Sequence, residues 1–231
     1  VIDLSKHERV VYCDSGGEDG IIEAIFAEIG TTNRHAVEFG AGDGEQNNTR
    51  LLREQGWTVT AWDSEFERPE RGVCRERVTA RNVGQLLLDY RVPPAPDLLV
   101  VDIDSLDFYV LDAIMRFSTP RVACVEYNAS YADDRVVAYD PELRWDGTDY
   151  YGASLDAFNS LMNVRYGYML VYCTSSGVNA FFVHLKCCGW FLGAGNTEYL
   201  YRPPNYGLRP HAHDTSGRGW VTSAQAMTVL T

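Results

Sequence analysis

An apolar stretch, Ala36-Val37-Glu38-Phe39, runs straight into Gly40, Gly42 and Gly44, three glycines at alternate positions with a carboxylate just ahead of them. No other feature restricts the fold as much. Glycine takes up positive φ without steric cost and lets a bound group come close to the backbone. The segment from Asn47 to Gln55 can form a helix, so the pattern reads strand, glycine turn, helix. A ligand can then sit over a strand end, at the switch point of an α/β sheet. About 20 residues on, a second apolar segment, Trp57-Thr58-Val59-Thr60-Ala61-Trp62, ends in Asp63. An acid there can accept hydrogen bonds from both hydroxyls of a ribose. Together these features imply a nucleoside cofactor. A glycine-rich turn without a ligand explains the glycines but not the two acids.

Two cofactors compete. The dinucleotide fingerprint is G-x-G-x-x-G, its third glycine packing helix on strand. Here the spacing is G-x-G-x-G, and Glu45 stands where that third glycine belongs. The carboxylate of Glu38 repels a pyrophosphate and suits a cationic ligand. The pattern E-x-G-x-G-x-G followed by Asp63 resembles motifs I and II of class I methyltransferases, which use S-adenosylmethionine.

The rest of the chain alternates helix and strand. Glu18 to Ile29 carries an apolar helical stripe of Ile21, Ile22, Ile25, Phe26 and Ile29. Strands are expected at His35–Phe39, Thr58–Asp63, near Arg75–Thr79, at Leu98–Ile103 and at Val122–Tyr127. Helices are expected from about Asn48, over Val83–Tyr90, over Leu106–Phe117 and over Ser154–Arg165. A polar loop spans Asn128 to Gly152. Tyr168–Cys173 and Val178–His184, joined by Ser175-Ser176-Gly177, read as an antiparallel hairpin. Continuous apolar strands between helices mean a parallel sheet covered on both faces. The expected fold is α/β: a Rossmann-like, mostly parallel, doubly wound seven-stranded sheet with a C-terminal antiparallel hairpin. Residues 1–186 form the cofactor domain, with 1–34 as a helical cover. Residues 187–231, rich in Gly, Pro, Tyr and His, pack on it as a cover or a dimer arm.

Two strand ends deliver acids to one crevice. Leu98-Leu99-Val100-Val101 runs into Asp102-Ile103-Asp104, and Val122-Ala123-Cys124-Val125 runs into Glu126-Tyr127-Asn128. Neighbouring parallel strands open into the same crevice, so Asp102, Asp104, Glu126 and Asn128 converge. Three close carboxylates repel one another unless a proton or a cation sits among them. Hard oxygen ligands suit Mg²⁺, Mn²⁺ or Ca²⁺. Equally, Asp104 and Asp107 sit where acids favour a helix start.

Several segments together look like the FkbM-type methyltransferase family. They are Gly17-Glu18-Asp19-Gly20-Ile21-Ile22, Val37-Glu38-Phe39-Gly40-Ala41-Gly42-Asp43-Gly44, Asn47-Asn48-Thr49, Asp102-Ile103-Asp104 with Asp107, Glu126-Tyr127-Asn128, Gly152-Ala153-Ser154-Leu155 and Asn179-Ala180-Phe181-Phe182-Val183. The resemblance runs to about His184 and fades in the tail. It implies a class I fold and O-methylation of a sugar or another hydroxylated natural product. By similarity to metal-dependent sugar and catechol O-methyltransferases, it also implies a metal held by Asp102 or Asp104 with Glu126 and Asn128. Here Tyr127 separates residues that are adjacent in those families.

The chemistry expected of such a site assigns further residues. The cofactor side comprises Glu38, Gly40, Ala41, Gly42, Asn48, Asp63 and Asp102, with Arg81, Asn82 and Val83 beside the adenine. Backbone at Gly40 to Gly44 holds the methionine end, and Glu38, directly or through water, its ammonium. Asp102, Asp104 or His211 is the acid–base group; His211 and His213 serve only if the tail folds over the crevice. Trp145, Tyr150, Tyr151 and Asn179 are acceptor-side candidates, since loops after strands build binding sites. Trp145 and the tyrosines can equally anchor a long loop.

Composition narrows the partners. A formal net charge of −12 argues against a nucleic-acid partner, although Arg68, Arg71, Arg75, Arg77 and Arg81 make a local basic cluster, and no apolar run approaches a membrane span. The start, Val1 to Lys6, lacks the order of a signal peptide, so a cytoplasmic enzyme acting on a small molecule, alone or as a homo-oligomer, is expected. The six cysteines show no C-x-x-C pairing and read as reduced thiols. A zinc site of Cys187 or Cys188 with His184, His211 or His213 has poor spacing. Two other functions use the same residues. One is a metal-dependent lyase, isomerase or hydrolase; the other is a non-catalytic nucleoside-binding partner. Binding of the methyl-donor cofactor separates the first from a methyltransferase, and turnover separates the second.

Overall fold

A computed structural model describes residues 1–13, 16–205 and 211–229. Helix α1 (Glu18–Ile29) precedes strand β1 (His35–Phe39), then come α2 (Arg50–Glu54), β2 (Thr58–Asp63), β3 (Val73–Arg75) and α3 (Val83–Asp89). Next are β4 (Leu98–Val101), α4 (Asp107–Met115), β5 (Val122–Glu126) and the short β6 (Val136–Val137). Helix α5 (Leu155–Asn159) passes into a π-helical turn, Ser160–Arg165, ahead of β7 (Tyr168–Cys173) and β8 (Asn179–His184). Helix α6 (Thr197–Leu200), β9 (Trp220–Val221) and α7 (Ser223–Ala226) lie in the tail.

Seven strands form one sheet in the order β3-β2-β1-β4-β5-β8-β7. The first five are parallel, and β8 runs antiparallel to both β5 and β7. This is the Rossmann-like, doubly wound arrangement with a C-terminal hairpin seen in class I methyltransferases.

Alternation along the central strands feeds two cores. Val37, Phe39, Leu99, Val101, Ala123 and Val125 pack with Val83 of α3, Val110 and Ile114 of α4, and Phe158 of α5. Ala36, Leu98, Val100, Val122, Cys124 and Phe181 face the other way, onto Ile21, Ile22 and Ile25 of α1. The expected helical stripe on α1 therefore covers one face. Below the sheet, buried Asp97 accepts hydrogen bonds from Thr32 N, Asn33 N and Arg34 N and pairs with Arg121, which fixes the entry into β1.

Element boundaries differ from expectation mainly at the carboxyl ends of strands. β4 stops at Val101 rather than Ile103, and β5 at Glu126 rather than Tyr127. β3 lies at Val73–Arg75, earlier than expected, because it pairs with Ala61–Asp63 of β2. Ser154 caps α5, its hydroxyl accepting from Ala157 N at 3.3 Å. All six cysteines are free thiols. Among the described residues, no helix is long and apolar enough to cross a membrane.

Parts of the segments expected as cover and tail, residues 14–15, 206–210 and 230–231, lie outside the described residues. The described tail is tied to the body at several places. β9 pairs with β6, and Ser223 Oγ donates to Asp134 Oδ2 at 3.0 Å.

Candidate active site

The loop after β1 is set by two glycines with different jobs. Gly40 N and Ala41 N both donate to Trp62 O, at 2.9 and 3.0 Å, seating the loop on the end of β2. Gly40 has φ +84°, and a Cβ there would lie 1.5 Å from Asp102 O. Only glycine lets β1 and β4 leave the sheet this close together. Gly42 has φ +55°, and its Cβ position is open, with no heavy atom within 4 Å. Its bare backbone therefore faces free space, a cradle that a side chain would fill. Gly42 N donates to Asp63 Oδ2 at 2.9 Å, while Asp63 Oδ1 takes Glu65 N at 2.8 Å and Phe66 N at 3.1 Å. Arg71 clamps the outer limb through Asp43 Oδ2 at 2.7 Å and Glu45 Oε1 at 2.5 Å.

Glu38 is buried behind this loop. Its Oε1 accepts from Asn48 N at 2.9 Å, and Oε2 accepts from the Thr49 N–H at 3.2 Å and from the Thr49 hydroxyl. It ties β1 to the chain entering α2. Burial pushes its carboxyl up to about 7, against those three hydrogen bonds, which lower it. Asn48 is buried with it. Neither residue lines the cavity described next. These hydrogen bonds make Glu38 part of an internal scaffold.

A cavity of about 600 Å³ opens above the carboxyl ends of β1, β2 and β4. Its lining includes Gly40, Gly42, Asp63 and Phe66, with Glu76, Arg77, Val78 and Thr79. Asp102, Asp104, Ser105 and Glu126 line it too, as do Pro141, Leu143, Arg144, Val178 and His211. Register explains why the acids meet. Val101 pairs with Val125, so Asp102 and Glu126 lie one step further along neighbouring strands. Asp102, Asp104 and Glu126 each offer a carboxylate oxygen within 4.8 Å of the others. Three hard oxygens this close fit Mg²⁺, Mn²⁺ or Ca²⁺. Among the described residues this is the one grouping of three or more His, Cys, Asp or Glu able to hold a metal; the zinc set around Cys187 and Cys188 is not assembled.

Asp104 adopts φ +56°, rare for a residue with a side chain. Asp107 holds that bend. Its buried carboxylate accepts from Ile103 N at 2.7 Å and Ser105 N at 3.0 Å. Burial raises its carboxyl to about 6.

Several expected residues sit elsewhere. Asn82 faces its own turn, with Oδ1 accepting from Thr79 N at 2.7 Å and Nδ2 donating to Arg77 O at 2.9 Å. Val83 is core, and Arg81 is exposed. Because β3 ends early, Glu76 to Thr79 occupy the flank expected of 81–83. Gly72-Val73-Cys74, a turn residue followed by two apolar ones, is the sequence signal that locates this strand. Asn128 is fully buried and organises the long loop, Nδ2 donating to Asp149 O at 2.8 Å and Tyr151 O at 3.0 Å. Its amide is thereby committed away from the acids. β5 ends at Glu126, so Asn128 lies beyond the strand.

The acceptor-side candidates also move. Tyr150 is buried, donating to Gly219 O at 2.7 Å and packing edge-on against Trp220. Trp145 Nε1 donates to Thr148 O at 2.8 Å. Asn179 is buried, its Nδ2 donating to Glu18 Oε1 at 3.0 Å. None of the three lines the cavity, and nor does Tyr151; Pro141, Leu143 and Arg144 of the same loop do. His211 lines it, its ring set edge-on to Trp145 at 4.9 Å and to Tyr151 at 5.5 Å. The tail thus reaches the crevice at His211, while His213 contacts Asp149 at 2.8 Å.

No family model matches the sequence, and no curated protein does. Among solved structures, the chain is similar to the N-terminal domain of EvdMO1 with SAH bound, at 14% identity and a TM-score of 0.40, over 72% of this chain and 79% of that one. A second structure of that domain, in the presence of SAH and D-fucose, is 15% identical with a TM-score of 0.43, over 72% of this chain and 80% of that one.

Proposed function

We propose that this chain is an S-adenosylmethionine-dependent O-methyltransferase acting on a hydroxylated small molecule, of the FkbM type and assisted by a divalent cation. One observation carries the reading. One cavity is lined by the backbone of Gly40 and Gly42, by Asp63 and by three converging carboxylates.

The division of labour follows from position. The open backbone at Gly42 receives the amino-acid end of the cofactor. Asp63 has acceptor capacity beyond its three backbone donors and takes the ribose hydroxyls. Phe66 and Val78 flank the base. When bound, the cofactor supplies an electrophilic methyl group on a sulfonium. Holding acceptor and methyl in line supplies much of the rate. Asp102, Asp104 and Glu126 hold the cation, which when bound lowers the pKa of an acceptor hydroxyl. Without the cation, an Asp104 carboxylate oxygen or the His211 imidazole would take the proton.

Calorimetric titration with S-adenosylhomocysteine, with and without Mg²⁺, tests the reading. Asp63→Ala is expected to weaken binding about 10- to 30-fold, or roughly 2 kcal/mol, the scale of charge-assisted hydrogen bonds. A thermal melt of the variant controls for lost loop structure. Absence of binding by the wild type under both conditions sinks the proposal. Binding of Mn²⁺ alone, with no nucleoside affinity, points instead to metal-dependent chemistry on the same scaffold.

A further inference from the structure

Asp149 is a buried carboxylate in the loop between β6 and α5, 6% exposed. Its Oδ1 accepts from Asp214 N at 2.8 Å, and its Oδ2 meets His213 Nδ1 at 2.8 Å and the Tyr131 hydroxyl at 2.9 Å. Its own N–H donates to Ala212 O at 2.8 Å, and Thr148 bridges Ala212 in parallel fashion. One residue thus grips three consecutive tail positions, 212 to 214. The position just before them is His211, which lines the cavity. On the other side, Asn128 holds Asp149 O and so connects this grip to the end of β5. Burial works against the charged form of Asp149, but the hydrogen bonds from His213, the Asp214 N–H and Tyr131 outweigh it and hold the carboxyl below its ordinary range.

We propose that Asp149 is a positioning residue for His211, making the tail a structural wall of the acceptor side of the site. This rests on reading the cavity as the seat of methyl transfer. Asp149 lies outside the cavity wall and acts through the strand-like contact at Ala212. Trp145 and Tyr151 then fix the ring orientation from behind.

The test follows the His211 ring by ¹H–¹³C NMR in the full chain, where it is one of five histidines and is assigned with His211→Gln. In the wild type, the rings of Trp145 and Tyr151 displace its signal from that of a solvent histidine. In Asp149→Ala, the signal is expected to relax to the solvent position, with affinity for S-adenosylhomocysteine unchanged. Asp149→Asn keeps an oxygen for Asp214 N and is expected to restore part of the displacement. A His211 signal that Asp149→Ala leaves in place overturns the proposal. Should Asp149→Ala not fold, His213→Ala cuts one arm of the same grip at an exposed side chain. That variant must move the same signal, or the proposal fails. If the wild type binds no S-adenosylhomocysteine while the signal still responds to Asp149, the methyltransferase reading falls and the positioning role stands.

Discussion

Gly40→Ala is expected to lose about 2–5 kcal/mol of stability and to abolish measurable binding of S-adenosylhomocysteine. The left-handed conformation alone costs a side-chain-bearing residue roughly 1–2 kcal/mol. The larger part is steric. The new methyl would lie 1.5 Å from Asp102 O, and backbone cannot rotate away as a flexible side chain can. Forced rearrangement of a packed site typically adds about 1–3 kcal/mol. Relief requires the peptide at Asp102 to move, which displaces the first of the three clustered acids. Gly42→Ala is the internal control. Its φ is also positive, yet its Cβ position is open. It should cost only about 1 kcal/mol in stability while weakening cofactor binding, because its methyl projects where the ligand approaches. Urea melts and calorimetry on the two variants check both outcomes. Equal losses of stability would refute the assignment of separate roles.

Removing the Glu38 carboxylate should be nearly as damaging, by a different route. Glu38→Ala leaves the N–H groups of Asn48 and Thr49 and the Thr49 hydroxyl without their acceptor. Each buried orphan costs about 1–3 kcal/mol, so a total near 4 kcal/mol is expected, with the loop before α2 loosened. The pH dependence carries its own sign. The folded carboxyl titrates at about 7, above its ordinary 4.5, because it is buried. The folded state therefore holds a proton that the unfolded state has released. That contribution to stability is complete below about 4.5 and is lost as the pH rises through about 7. At roughly 1.4 kcal/mol per pH unit, it amounts to about 3 kcal/mol. Asp107, raised to about 6 by burial, acts in the same direction. Glu38→Gln cannot titrate. The stability of the wild type relative to that variant should fall between pH 4.5 and 7, and a pH-independent difference in chemical melts would refute the buried, protonated carboxyl.

Much of the scaffold was legible because burial writes itself into strand composition. Thr58–Asp63 and Tyr168–Cys173 have their expected bounds; the second is a continuous apolar run. The glycine junction and Asp63 came together because both sit at strand ends, where sequence spacing maps directly onto space. Side-chain purpose was harder to read. A carboxylate ahead of a glycine turn suits either a cationic ligand or internal N–H groups, and the choice at Glu38 depends on Asn48 and Thr49 folding back within reach. Asn128 shows the same limit. Its place after the end of β5 predicts convergence, but its amide donates to Asp149 O and Tyr151 O instead. The aromatic loop misled because aromatic content does not say which rings face outward. Trp145 and Tyr151 stand behind His211, and Pro141 with Leu143 forms the surface. His211 itself lies 85 residues beyond Glu126 in sequence, a distance over which spacing says nothing.

The placement of β8 between β5 and β7 has a consequence for how the chain is made. β7 is an edge strand whose partner in the sheet is β8. During vectorial synthesis it emerges first and waits, an apolar strand with both edges open, until the residues through His184 have cleared the ribosome. The parallel half, β1 to β5, has no such dependence and can associate earlier. The sheet is thus finished by a late insertion rather than by addition at its rim. A ribosome stalled before residue 184 would expose β7 and the rim of β5 together, which makes the interval between β7 and β8 the window in which a nascent copy is most open to pairing with its neighbour on the same message.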